Sequence, residues 1–532
     1  MKSPRHILLL LFLFTLLPLS AQFRLNSKSA ADKIANAERV IEQLYVDTVN
    51  GEKMAETAIR AMLKELDPHS SYATPKEAKA VNENFAGSFE GVGIQFNIVD
   101  DTLMVVQTIV KGPSEKAGII AGDRIVSVGG EPIAGVKMSR EDIMTRLRGK
   151  KGTVAQLGVV RRGVKDVLSF NVVRDKIPLL TIYANYMITP TVGYIRIESF
   201  GENTYKEFLS AVQNLQEKGM QSLILDLQDN GGGVLQVAAQ ICNEFLEAGD
   251  MIVYTEGRKM SKQVYRAQTY GRLREMKVAV LVNEFSASAS EIIAGALQDQ
   301  DRALIVGRRS FGKGLVQRII EFQDGSHMRL TMAHYYTPSG RCIQKPYTKG
   351  DMKSYANELD ERLKHGELTN ADSIHFPDSL RYYTLRQHRP VYGGGGIMPD
   401  SFVPLDTTRY TKCHRQLAAK NIILEKTLKH IDNNRNKLKK NYSSFDRFLT
   451  DFNVPQTLID DIMSTGEKQN IKPKDEDERK RTLEAMQIQL KALIARDLWD
   501  MNEYYIIANH NNDIVQRAVQ LMTDDKHLNL KN

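Results

Sequence analysis

Between residues 177 and 345 the chain repeats one pattern: a short apolar run, then a segment with apolar residues at helical spacing. Runs at 193–200, 222–227, 251–255, 277–282, 303–306, 315–322 and 328–336 predict strands, and periods at 204–218, 234–246 and 290–299 predict helices. Gly219 supplies a left-handed stop after the first helix. Repeated strand–helix units build a layered α/β sheet, and such sheets place ligands and catalytic groups where strands turn into helices.

The flanks differ from this core. The chain has 532 residues, room for three or four domains, and its 42% hydrophobic content suits packed cores. Lys2, Arg5 and His6 precede an apolar run at 7–17, with small residues up to Ala21, the pattern of a cleaved signal peptide over 1–21 and hence of export. Residues 22–87 predict an N-terminal helical region, with Ile34, Ala37, Val40, Ile41 and Leu44 on one stripe and Met54, Ala58, Met62 and Leu66 on another. Residues 88–175 alternate β-rich runs with glycine turns around one helix at 139–147, a compact mixed domain. Residues 346–390 are polar without a clear period and read as an insertion within a core over 176–404. Residues 405–532 predict a C-terminal helical domain whose stripe Leu483, Met486, Leu490, Leu493 and Leu498 reads as core. The formal charge of +8, spread over the whole chain, does not make a nucleic-acid site, and basic runs such as 435–440 read as solvated faces. Cys242, Cys342 and Cys413 form neither a zinc pattern nor a disulfide scaffold, though one disulfide stays open.

Three segments of the core can carry chemistry. Phe285 to Ile292 joins a predicted strand to a helix and holds Ser286, Ser288 and Ser290 over a helix N-terminus, where unpaired N–H groups meet a developing negative charge. Spacing does not choose among these serines, and Ser288-Ala289-Ser290-Glu291 also fits a capping box with no catalytic role. Phe311 to Gln317 offers Lys313 between glycines and apolar neighbours, surroundings that lower an amine's pKa enough for it to act as a base. On a strand, Gln317 would share a face with Lys313 and orient its amine. Asp226 to Gly233 ends in three glycines after a strand, so backbone N–H groups can converge on an anion, although a plain turn fits as well. In the mixed domain, Phe89-Glu90-Gly91-Val92-Gly93-Ile94 has the form of a loop that receives a terminal carboxylate and feeds an edge strand.

These stretches resemble, in order, those of carboxy-terminal processing (tail-specific) proteases: 66–72, 89–94 with 112–125, 193–197, the Asn230 loop, 286–291, 311–314 and 336–341, with 392–400 beyond the insertion. The resemblance implies a multidomain α+β protein: an N-terminal helical segment, a PDZ domain over 88–175, a crotonase-like α/β protease core and a C-terminal helical domain. It further implies a serine endopeptidase with Ser288 as nucleophile, Lys313 as base and Gln317 in support. The oxyanion hole would be formed by the backbone N–H groups of Ala289 and Gly232, and the tail would be bound at Gly91, Val92, Gly93 and Ile94. No metal or cofactor is implied. The expected partners are proteins or peptides with free C-terminal tails, not nucleic acid, in the periplasm with or without membrane association; a homo-oligomer and an adaptor protein stay open. Gln228 stands where that family usually has arginine. Two rivals are a PDZ binding protein with a retired protease domain and a crotonase-like acyl-CoA enzyme.

Overall fold

The computed structural model describes residues 28–524, and the run over 1–21 read as a signal peptide lies outside the described residues. The chain divides after Glu65 into two compact units. The first carries helices Ala30–Leu44 and Gly51–Lys64. Ser29 and Asp32 close a reciprocal capping box on the first helix, and Asn50 caps the second. Ile34, Ile41, Leu44 and Met62 remain exposed. The helical region expected over 22–87 is therefore divided: from Leu66 onward the chain belongs to the second unit, where strand Ser71–Ala73 pairs with His327–Tyr336.

The expected PDZ domain is built on the strands Ile94–Val99, Thr102–Thr108, Arg124–Val128, Val154–Val160 and Leu168–Val173 in sheet order, with the short Glu131–Pro132 beside the third. Its core includes Leu103, Ile125, Ile143, Leu157 and Val172, all buried. Helix Arg140–Leu147 starts where Ser139 accepts the Asp142 N–H. Among the described residues Ile94–Val99 pairs only with Thr102–Thr108, and no strand pairs with its other edge. A second ladder, Ser88–Gly91 against Asp175–Pro178, closes the base of the domain.

The α/β core holds a six-stranded sheet ordered Ile182–Met187, Val192–Ile197, Ser222–Asp226, Lys277–Val282, Leu304–Gly307 and Ser401–Phe402. The first pair is antiparallel and the rest parallel. Parallel strands need both faces covered, and the pleat sorts the side chains accordingly. Ile195, Leu225, Val280 and Ile305 pack with helices Thr204–Glu217, Leu235–Asn243 and Ala289–Asp299. Tyr194, Ile224, Leu281 and Val306 face the other way, onto Ile514, Val515, Ala518 and Leu521 of helix Asp513–Thr523. The last described helix of the expected C-terminal domain is thus the missing layer of the six-stranded sheet.

A second sheet pairs Ser71–Ala73, His327–Tyr336, Met251–Gly257 and Met260–Arg266, with Leu315–Glu321 also on the ten-residue strand His327–Tyr336. The segment read as an insertion without a period contains a helix, Met352–Lys364. Its buried Arg362 donates to the carbonyls of Arg309 (2.7 Å) and Ser310 (3.2 Å), so it supports the loop that leads into Lys313. The remaining C-terminal helices enclose their own core around Met486, Leu490 and Leu493. Helix Ile422–Asn441 also grips the PDZ domain, where Asp432 receives Arg124 at 2.8 Å and Arg162 at 3.2 Å. All three cysteines are free thiols.

Candidate active site

Strand Lys277–Val282 turns into helix Ala289–Asp299 through six residues, and the three serines of this connection have different surroundings. Ser286 is fully buried; its hydroxyl donates to the Leu227 carbonyl at 2.7 Å and accepts the Asn283 N–H at 2.9 Å. Ser290 is also fully buried and donates to the Asn230 carbonyl at 2.9 Å. Ser288 is half-buried, lines a cleft of about 840 Å³, and donates its hydroxyl to no group among the described residues. Two hydroxyls hold the turn together and the third faces the cleft, a distinction spacing alone does not make. Ser288 also has φ +55° and ψ −112°. A serine at positive φ on a strand-to-helix turn is strained in the manner of a nucleophile elbow, and surrounding contacts must hold it there.

Those contacts converge on Glu291. Its Oε2 accepts the backbone N–H of Ser288 at 2.9 Å and that of Lys313 at 2.8 Å. Its Oε1 accepts the Ser310 hydroxyl at 2.5 Å and the Gly312 N–H at 2.7 Å. The capping-box glutamate therefore does more than cap: one carboxylate oxygen fixes the spacing between the backbones of Ser288 and Lys313. Burial pushes the Glu291 carboxyl up from its usual range, and the four donors oppose that shift. Glu291→Gln would turn an NH2 group toward two of these donors. It is expected to destabilise the protein by about 2–3 kcal/mol and to lower kcat as the two loops separate, as read by thermal unfolding and peptide cleavage. An unchanged melting temperature would show that Glu291 does not hold the loops.

Lys313 lies just ahead of strand Leu315–Glu321, half-buried in the same cleft as Ser288. Burial lowers its pKa, and the positive charge of Arg329 lowers it further, while Glu291 and Asp67 act in the opposite direction. Gln317 lines the cleft too, but not in the expected manner. Its Nε2 donates to the His69 carbonyl at 2.6 Å, because segment 66–72 passes alongside. Asp67 shapes that segment, accepting the N–H groups of His69 (2.8 Å) and Ser70 (2.9 Å) and the Thr331 hydroxyl (3.0 Å). The His69 imidazole lies 2.8 Å from the Tyr355 hydroxyl, and burial followed by Lys313 brings its pKa down to about 4. Sequence reasoning assigned no role to His69. Nothing within seven residues of it points to Gln317, 248 positions away.

The glycine loop reaches Ser288 directly. A Cβ on Gly232, whose φ is +101°, would lie 2.7 Å from the Ser288 Cβ and 2.8 Å from the Ala287 carbonyl oxygen, so only glycine allows this approach. The expected pair of oxyanion donors is only half available. The N–H of Ala289, first in its helix, is an orphan of the helix N-terminus, whereas that of Gly232 donates to the Asn230 Oδ1 at 2.8 Å. That carbonyl closes the loop on itself, and the Gly232 amide must exchange it for any oxyanion.

In the PDZ domain, the Val92 carbonyl accepts from the Ser114 hydroxyl at 2.7 Å and the Gly93 carbonyl from the Ile109 N–H at 3.1 Å. Both carbonyls point into the domain. A trans peptide places C=O and N–H on opposite sides, so the amides of Gly93 and Ile94 point the other way, toward the groove beside Ile94–Val99.

A serine over a helix N-terminus, a half-buried amine in the same cleft and a peptide-edge domain define a serine-type peptidase carrying a PDZ domain. The chain belongs to the carboxy-terminal processing protease family. Residues 191–354 match the model of peptidase family S41, 105–161 that of the PDZ domain, 19–77 that of the activating protease CtpB N-terminal domain, and 413–500 a family of unknown function. It is 40% identical over 374 residues to a carboxy-terminal-processing protease of Bartonella bacilliformis, covering 69% of this chain and 83% of that protein. It is 35% identical over 358 residues to the carboxy-terminal processing protease CtpA of Bacillus subtilis, covering 64% of this chain and 76% of that one. Among solved structures, the photosystem II D1 C-terminal processing protease aligns with a TM-score of 0.33 at 29% identity, over 58% of this chain and 89% of that one. The protein is thus a serine-type C-terminal processing peptidase.

Proposed function

We propose that Ser288 and Lys313 form the catalytic pair of an endopeptidase that acts near the C-termini of exported proteins. The observation that carries this reading is the Glu291 Oε2, which accepts the backbone N–H of both residues and sets them in one cleft. Neutral Lys313 takes the Ser288 proton as Oγ attacks the scissile carbonyl. The oxyanion forms beside the Ala289 N–H, and the Gly232 N–H joins it once released from Asn230. The Lys313 ammonium, from which the Gln317 amide oxygen can accept a hydrogen bond, gives its proton to the leaving amine. Water, deprotonated by Lys313, then attacks the acyl ester and frees Ser288.

The Gly91–Ile94 loop receives the terminal carboxylate of the substrate, whose tail adds as a strand along Ile94–Val99. A reporter protein with a free apolar C-terminus is expected to be cleaved at least about tenfold faster than the same protein with its tail amidated, since only the free tail offers the loop an anion. Equal rates would remove tail capture. The basic and apolar character of residues 2–17 supports export to the periplasm. N-terminal sequencing of the exported protein is expected to begin after Ala21, and recovery of the intact leader from the cytoplasm alone would overturn the location.

A further inference from the structure

The groove beside the Gly91–Ile94 loop is not walled by the PDZ domain alone. It encloses about 500 Å³ along strand Ile94–Val99 and helix Arg140–Leu147, and its remaining lining includes Tyr183 from the core sheet with Arg496 and Met501 from the C-terminal helices. Among the described residues three arginines line it, Arg140, Arg148 and Arg496, and no aspartate or glutamate does. Two of the three are engaged. Arg148 donates to Glu83 at 2.6 Å and lies over the Phe89 ring at 4.9 Å. Arg140 lies over the Phe96 ring at 4.6 Å and donates to the Phe96 carbonyl at 3.4 Å.

Arg496 differs. It sits in the last turn of helix Glu476–Leu498, half-buried, yet donates to no group among the described residues. Its neighbours fix where it sits: Ala495 is buried in the helical core and Asp497 is bonded to Arg435. Its charge acts on Asp497 and Tyr504, but Asp497 is committed to Arg435, so the five donors of a guanidinium that cannot shed its charge stay open to a ligand in the groove. A carboxylate matches it, since its two oxygens take the planar fork bidentately.

We propose that Arg496 is a specificity determinant that binds an acidic side chain of the substrate tail, upstream of the terminal carboxylate held by the Gly91–Ile94 loop. This inference rests on the tail-capture reading above. It adds a substrate class, tails that pair an apolar C-terminal residue with a nearby aspartate or glutamate, and makes the C-terminal helical region part of the tail-binding site.

The test uses the full chain with Ser288→Ala, so that bound peptides stay intact, at fixed ionic strength. Fluorescence anisotropy compares tail peptides carrying glutamate or glutamine at successive positions before the last residue, each with a free or amidated terminus. At one position glutamate is expected to bind about tenfold more tightly than glutamine. Arg496→Gln should erase that preference while keeping the free-over-amidated preference, Arg496→Lys should keep part of it, and Arg496→Glu should reverse it. If discrimination between glutamate and glutamine survives in Arg496→Gln, or every peptide weakens alike, Arg496 does not read the tail and only this inference falls. If free and amidated tails bind equally, tail capture falls and takes the inference with it.

Discussion

Ser288→Ala is expected to remove cleavage altogether, by roughly 10⁴-fold or more in kcat, while tail peptides bind as tightly as before. The substitution deletes one hydroxyl that donates to nothing among the described residues, while the Glu291 carboxylate keeps its hold on the Ser288 backbone N–H. Ser286→Ala is the contrasting control. It removes a fully buried hydroxyl bonded to Leu227 and Asn283, and so lowers stability first and activity through the disturbed turn. Steady-state cleavage with thermal unfolding separates the two. An active Ser288→Ala enzyme would place the nucleophile elsewhere.

Lys313→Arg should be equally inactive, although it keeps the positive charge. A guanidinium stays protonated near neutral pH and has no lone pair to accept the serine proton. The wild-type pH profile provides the companion measurement. Below its pKa Lys313 is an ammonium and the enzyme is idle; above it the amine is neutral and the enzyme works, so activity rises with pH. Burial and Arg329 lower this pKa from the ordinary lysine value, which places the rising limb on the acid side of 10.5. Arg329→Gln removes one of the two lowering influences and is expected to move that limb toward higher pH. Cleavage by Lys313→Arg at the wild-type rate would rule out the lysine base.

What the structure adds to the site is of one kind. The glycine loop and the serine turn were legible as strand-to-helix connections, because local pattern determines strand, turn and helix. The expected facing of Gln317 onto Lys313 did not appear in that form. Lys313 precedes the strand, and the Gln317 Nε2 meets the His69 carbonyl across 248 positions. The segment 346–390 showed no period, since the helix inside it buries Arg362 rather than an apolar stripe. Its attachment is made by charge and hydrogen bonds to the Arg309–Ser310 backbone, which hydrophobic periodicity does not register.

The sequence by itself determined the repeating strand–helix order, the domain succession and the residue types able to attack, deprotonate and stabilise charge, because each is written in neighbours a few positions apart. Tertiary structure alone decided which serine turns its hydroxyl to the cleft, that Glu291 joins the Ser288 and Lys313 loops, that helix Asp513–Thr523 covers the protease sheet, and that Arg496 reaches the PDZ groove. Each of these is a contact between segments far apart in the chain, and it exists only once burial has brought them together and decided which polar groups are left with a partner.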